Sequence, residues 1–301
     1  MTTKKEIETA LMRVAVTLRD TIDAANYKDY VLPIMFVKYL SDSYEDALDE
    51  LKKEYSGIRL ERQKRYLPFT IAEECSFQSL YDQRFSDKIG QLINAAMRKI
   101  EADNNQQLAG VLNTVDYNSE NALGTLDHKK AILRDLLEDF ESLSLRPSEI
   151  EVKAGQVPAD VIGDAYEYMI GQFASMAGKK AGSFYTTAAV SEIMARIVDV
   201  QPGERVYDPT CGSGSLLIKA AKKQNSKEVS IYGQEVNGSS VAMAKMNMYI
   251  HEIRDAKIAW GDTLANPLFL DSDGNLLLFD AIVANMPFSK DKLASGFNPG
   301  G

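Results

Sequence analysis

Val206-Tyr207-Asp208-Pro209-Thr210-Cys211-Gly212-Ser213-Gly214-Ser215 is the stretch that decides the fold. A short apolar run ends in an aspartate, and a glycine-rich turn opens a helix. An open α/β sheet presents the first loop of a nucleotide-like ligand site in this way. Glycines in such a turn let backbone approach the ligand where a Cβ would collide with it. Two related chemistries are excluded. Leu217 stands where the dinucleotide fingerprint has its third Gly or Ala, and no Gly-Lys-Ser/Thr follows to grip phosphate.

Downstream, 229–236 reads as a second strand ending at Glu235, roughly 27 residues beyond Asp208 and near the ~20 expected for a ribose-binding acid. A third strand at 256–260 runs into Gly261-Asp262-Thr263-Leu264. A fourth, at 276–284, runs into Asn285-Met286-Pro287-Phe288. Helices expected at 215–223 and 239–251 alternate with these strands, which predicts a parallel sheet. From the residues alone, Asp262 reads as a turn or helix cap. Asp271-Ser-Asp-Gly274 has turn chemistry.

Upstream, residues 1–150 read as helical. Ile7, Ala10, Leu11, Val14 and Leu18 repeat at steps of three and four, which makes one helix face. The run 30–40 is apolar nearly all round and predicts a buried helix, with Pro33 tolerable in its first turn. Helices are also expected at 87–100, at 127–140 with Asp127 as N-cap, at 158–173 with Pro158 in the first turn, and at 188–198 capped by Thr186 or Thr187. The segment 144–157, with Pro147 and Gly155, reads as a linker, and the small loop around Lys179 and Lys180 as mobile. Arg59, Arg62, Lys64 and Arg65 beside Tyr66 and Phe69 could touch nucleic acid, but read more readily as a solvated helix end with its aromatics in the core. His128 reads as a surface residue, and His251 has no visible acid-base partner.

The composition is 45% hydrophobic and 26% charged over 301 residues, enough for one large domain or two ordinary ones. No apolar run reaches the length of about eighteen residues that a membrane span needs, and no signal peptide is visible. Cys75 and Cys211 show no metal-ligand spacing, so no metal site is expected and both read as free thiols of a reducing, cytoplasmic setting. The net charge of -9 makes the chain a poor candidate for gripping DNA alone, so a DNA-directed function predicts a partner that supplies basic surface.

Asp208-Pro-Thr-Cys-Gly-Ser-Gly followed by Asn285-x-Pro-Phe resembles the S-adenosylmethionine-dependent N6-adenine DNA methyltransferases, and within them the modification (M) subunit of type I restriction-modification systems. The resemblance spans the chain: a helical N-terminal region, then Gly182-Ser-Phe-Tyr-Thr-Thr187, then the two motifs in that order. It implies an α + α/β architecture. A helical N-terminal domain facing partners and DNA (1–150) is followed by a partial Rossmann-like methyltransferase domain (151–301), which looks C-terminally incomplete. It implies S-adenosyl-L-methionine bound by Ser183, Phe184, Tyr185, Thr186, Asp208, Thr210, Gly212, Ser213, Gly214, Ser215, Glu235 and Asp262. Transfer to a flipped-out adenine would fall to Asn285, Met286, Pro287 and Phe288. Implied partners are DNA, a specificity subunit, a restriction subunit and a second M subunit.

Two positions depart from the family pattern. Thr187 replaces a usual proline, and Met286 replaces the first proline of Asn-Pro-Pro-Phe/Tyr. The acceptor at 286 is a backbone carbonyl and survives the change, while Pro287 keeps residue 286 out of the α region. The competing readings are a protein glutamine-N5 methyltransferase, which shares the Gly-rich loop and an Asn-Pro-Pro-Tyr motif, and an inactive assembly subunit. A nicotinamide dehydrogenase would leave Asn-x-Pro-Phe unexplained.

Overall fold

The β-branched and aromatic runs found in the sequence pair as four parallel strands: β1 (Arg205–Asp208), β2 (Ser230–Glu235), β3 (Lys257–Trp260) and β4 (Ala281–Ile282). Their order is β3-β2-β1-β4. The computed structural model describes residues 1–17, 26–178, 184–222 and 228–286, and its backbone divides into two units, Met1–Met169 and Ile170–Gly301. The sheet lies in the second unit. Its chain steps outward from β1 to β3 and then returns to the other side of β1, so the winding direction reverses between β1 and β4. At such a switch point the carboxyl ends of the strands leave a crevice suited to ligand.

Helices Ala188–Val198, Ser215–Lys222 and Gly238–Ile250 contribute to this unit. Val206 and Ile231 from the sheet, and Val283 just past β4, are buried in one cluster with Leu217 and Ile218 of the second helix and Val241, Ala244 and Met248 of the third. Four aromatics also pack together: Tyr207 stacks on Phe279 at 4.5 Å between centroids, and Phe269 meets Tyr232 edge-on at 5.2 Å. Gly233, opposite Asp208 in the β1–β2 register, is required by packing, because a Cβ there would lie 2.9 Å from Cys211 Sγ.

The fourth strand is shorter than the 276–284 expected. Residues 269–277 instead turn back on themselves, with Leu270 bridging Leu276 in antiparallel fashion and Leu277 N–H donating to the Phe269 carbonyl. Asp271 closes this turn as the sequence predicts, its Oδ1 accepting from the Asp273 and Asn275 N–H groups at 2.9 Å each. The local turn chemistry therefore claims the backbone groups that a longer strand would have used.

In the first unit, one helix runs Tyr27–Glu54, so Pro33 sits inside it and not in its first turn. Burial of Tyr27, Tyr30, Val31 and Leu32 extends the helix upstream; this packing outweighs a local proline penalty of about 3 kcal/mol. Helices follow at Ile89–Asp103 and Leu126–Glu141. Thr125 takes the N-cap position expected for Asp127, which falls in the first turn, where its charge complements the positive helix end. Segment 144–157 begins well fastened: Leu145 N–H donates to Asp42 at 2.7 Å, Arg146 reaches Glu45 at 2.6 Å and Asp49 at 3.0 Å, and Glu151 N–H donates to the Thr2 carbonyl at 2.9 Å. The basic cluster divides. Phe69 is buried, whereas Tyr66 and the whole of helix Gly57–Lys64 lie outside the core. His128 is exposed, as read from sequence.

Candidate functional site

Asp208 ends β1 and Glu235 ends β2, and both are buried. Asp208 accepts the Thr210 N–H at 2.9 Å. Burial pushes its carboxyl up to about 7, with the charge of Glu235 adding to the effect and the Thr210 hydrogen bond opposing it. Glu235 holds the glycine loop from beneath, accepting the Gly212 N–H at 3.0 Å on one oxygen and the Asn237 N–H at 2.8 Å on the other. Two buried acids thus lie under one loop, a setting that favours a ligand bringing positive charge or hydroxyl donors.

The loop needs its glycines. Gly212 has φ +52° and Gly214 φ +76°, in the region that L side chains avoid. A Cβ on Gly212 would also sit 2.9 Å from the Phe184 carbonyl oxygen, the same oxygen that accepts the Ser213 N–H at 3.0 Å. Segment 184–186 is therefore laid across the glycine loop. Tyr185 places its phenol against Gly171, where a Cβ would meet it at 3.0 Å. Thr186 accepts from Asn285 Nδ2 at 3.2 Å.

Phe184, Tyr185, Thr186, Asp208, Thr210, Gly212, Ser213, Ser215 and Asn285 border one cleft. Asn285 follows β4, just beyond the buried Val283, whose N–H donates to the Tyr207 carbonyl at 2.9 Å. Glu235 and Gly214 underlie the cleft without bordering it. Asp262 acts as a turn cap here: its Oδ1 accepts the Leu264 and Ala265 N–H groups at 3.0 and 3.3 Å. Met286 is 62% exposed. Ser183, Pro287 and Phe288 lie outside the described residues, as does the loop around Lys179 and Lys180. Thr187 is the N-cap of helix Ala188–Val198 but makes no side-chain cap bond, and the Thr186 hydroxyl is turned to Asn285 instead.

Several supports were not singled out from the sequence. Gln234, wholly buried, donates to the Asn266 carbonyl at 2.9 Å and accepts the Leu268 N–H at 3.0 Å, tying the loop after β3 to the sheet. Asn247, also wholly buried, donates to the Ser213 carbonyl at 3.0 Å. Thr263 Oγ1 donates to the Pro209 carbonyl at 2.6 Å. The available signal was a lone amide in an apolar strand or helix, which demands a partner once buried. Cys211 and Leu216 also border the cleft.

Comparison with known proteins agrees with this geometry. The profile of the N-6 DNA methylase family matches residues 157–297, and that of the HsdM N-terminal domain matches residues 7–140. The chain belongs to the N-6 DNA methylase family. It is 30% identical to the type I restriction enzyme MpnII methylase subunit of Mycoplasma pneumoniae, over 94% of this chain and 58% of that protein. It is 27% identical to the MjaIX methylase subunit of Methanocaldococcus jannaschii, over 94% and 51%. Among solved structures, the methyltransferase subunit of a type I restriction-modification system from Streptococcus thermophilus superposes with a TM-score of 0.75 at 28% identity, over 93% of this chain and 63% of that one. The chain spans about half the length of the curated relatives it matches. Membership of the methylase family implies a Rossmann-like fold of the kind that binds S-adenosylmethionine. Among the described residues no helix is long and apolar enough to cross a membrane.

Proposed function

We propose that this chain belongs to the M subunit of a type I restriction-modification complex and serves site-specific methylation of adenine N6 in DNA, with S-adenosylmethionine as donor. One observation carries the reading: Asn285, just beyond β4, shares a cleft with the Asp208–Ser215 loop at the switch point between β1 and β4. A chain that binds a nucleoside donor at the end of β1 and works on an amine at the end of β4 needs these two groups on one crevice.

The residues suit such a donor. Asp208 and Glu235 offer buried carboxylates to ribose hydroxyls and to the positive charge of an ammonium or sulfonium. The backbone at Gly212 and Gly214 carries no Cβ to fend off ligand, and Phe184, Tyr185, Thr186, Thr210, Ser213 and Ser215 wall the cleft. Ser183 and Asp262 complete the proposed set. When bound, the donor supplies an electrophilic methyl on sulfonium, so the protein's task is alignment and electrostatic support.

Adenine N6 is inaccessible inside a duplex, so the base is flipped out. Asn285 Oδ1 and the backbone carbonyl of Met286 accept the two N–H groups of the amine and turn its lone pair into the cleft. Of the remaining motif residues, Pro287 contributes the restricted φ of its ring and Phe288 an aromatic face for the base to stack on. The proton that N6 sheds afterwards passes to solvent. The acidic balance of the chain, at -9, leaves most of the DNA grip to partners: a specificity subunit, a restriction subunit and a second M subunit. In this reading residues 1–150 face those partners and DNA, residues 151–301 carry the chemistry, and the complex works in the cytoplasm.

Calorimetric titration of S-adenosylmethionine into the purified protein, with Asp208→Ala and Glu235→Ala alongside, tests the donor site. Saturable binding that both substitutions abolish is expected. Binding left intact by both would overturn this assignment of the site.

A further inference from the structure

A side-chain amide can present either its oxygen or its NH2 to a neighbour, and the two ends are nearly equal in size. An asparagine that must accept from an amine therefore needs something else to hold its NH2 end. We infer that Thr186 is that positioning residue: its hydroxyl, able to accept or to donate, pairs with Asn285 Nδ2 at 3.2 Å and anchors the side chain across the cleft, while the substrate amine, a donor, takes Oδ1. This role rests on the methyl-transfer reading above and is distinct from the donor contact proposed there for Thr186.

The hydroxyl can act this way because the backbone beneath it is fixed on two sides. Two residues earlier, the Phe184 carbonyl accepts the Ser213 N–H at 3.0 Å. One residue earlier, Tyr185 lies with its phenol against Gly171. Thr186 is thus presented by a segment docked on the glycine loop. Asn285 lies past the end of β4, where strand pairing no longer holds it: the last ladder bond on that side is Val283 N–H to the Tyr207 carbonyl at 2.9 Å. Its side chain is half-buried and takes its orientation from across the cleft, 99 residues away in sequence. A flipped amide would set NH2 against the NH2 of adenine, donor against donor.

The physical consequence is a division of labour within one segment. Phe184 ties the segment to the donor loop, and Thr186 ties it to the acceptor asparagine. A methyl in place of the hydroxyl keeps the volume and removes the hydrogen bond, so Asn285 becomes free to turn over. Thr186→Val is expected to lower turnover of the enzyme, assembled with its natural partners, by about tenfold, the worth of a hydrogen bond at the upper end of the usual range. Thr186→Ser, which keeps the hydroxyl, restores turnover.

The second readout needs no activity. In 15N-labelled protein the side-chain NH2 resonances of Asn285, assigned by their loss in Asn285→Asp, are expected to move in Thr186→Val and to stay in Thr186→Ser. Unmoved resonances, or a Val variant with wild-type turnover, would overturn the inference. So would weakened donor binding with unchanged turnover, which would make Thr186 a donor contact alone. If the wild-type enzyme makes no N6-methyladenine, the functional reading fails, and the resonances still decide whether Thr186 holds Asn285.

Discussion

Asp208 and Glu235 end neighbouring parallel strands, and the single turn above them is pinned to both: Thr210 N–H to Asp208 at 2.9 Å and Gly212 N–H to Glu235 at 3.0 Å. Holding two acids under one loop has an energetic consequence. Asp208 titrates near 7 in the folded chain, against an ordinary value of 3.8, so the native state keeps this proton longer than the unfolded chain does. The stability it contributes is full below about pH 4 and is lost as pH rises through about 7. Asp208→Asn is expected to raise stability at pH 8 by roughly 1–4 kcal/mol and to flatten the fall between pH 4 and 7, while weakening donor binding. Thermal melts of both proteins across that range check it; a variant less stable than wild type at pH 8 would contradict it.

His251 works in the opposite direction. It is 4% exposed, neither ring nitrogen has a hydrogen-bond partner among the described residues, and Lys219 and Lys222 of helix Ser215–Lys222 face it. Burial, helped by these two cations, holds its value well below the ordinary 6.5. The native state therefore resists the proton, and stability is lost as pH falls below about 6.5. Replacing His251 with Leu is expected to remove that acid sensitivity and to add about 1–3 kcal/mol at pH 5. Urea titrations at pH 5 and pH 7.5 measure it. An unchanged difference between the two pH values would refute it.

Gln234→Leu strands the Asn266 carbonyl and the Leu268 N–H, both of which now pair with the buried amide. A loss of roughly 2 kcal/mol in unfolding free energy is expected, together with faster hydrogen exchange in the loop that carries Asp262 and Thr263. Exchange confined to other segments would place the role of Gln234 elsewhere.

Thr187 already has the backbone of the proline it replaces in the family pattern. Its φ is -61°, and its N–H donates no hydrogen bond among the described residues. Thr187→Pro is expected to stabilise the protein by about 0.4–1 kcal/mol through the unfolded chain. A lower melting temperature in the variant would show that the segment resists the change.

The sheet was legible because its signals are local. Arg205–Asp208 and Ala188–Val198 stand where periodicity places them, and the turn at Asp271 follows from one side chain. The fourth strand was overestimated because an apolar run does not reveal whether its backbone pairs forward or folds back on residues 269–271. Pro33 misled for a related reason: local propensity marked a helix start, while burial of Tyr27 and Tyr30 set it earlier. In the site, Asp208, the glycines and Asn285 were found by motif. Gln234, Asn247 and the hydroxyl of Thr186 act through partners 32 to 99 residues away, and no spacing in the sequence displays those pairings.

The most direct test of adenine methylation at this site is made in the cell that carries the gene. Genomic DNA is sequenced with N6-methyladenine detection from wild-type cells and from cells carrying Asn285→Ala at the native locus. A defined set of modified adenines present in the wild type and absent from the variant is the predicted result. The same modified adenines in both strains would contradict the role given to Asn285, and with it the function proposed for the chain.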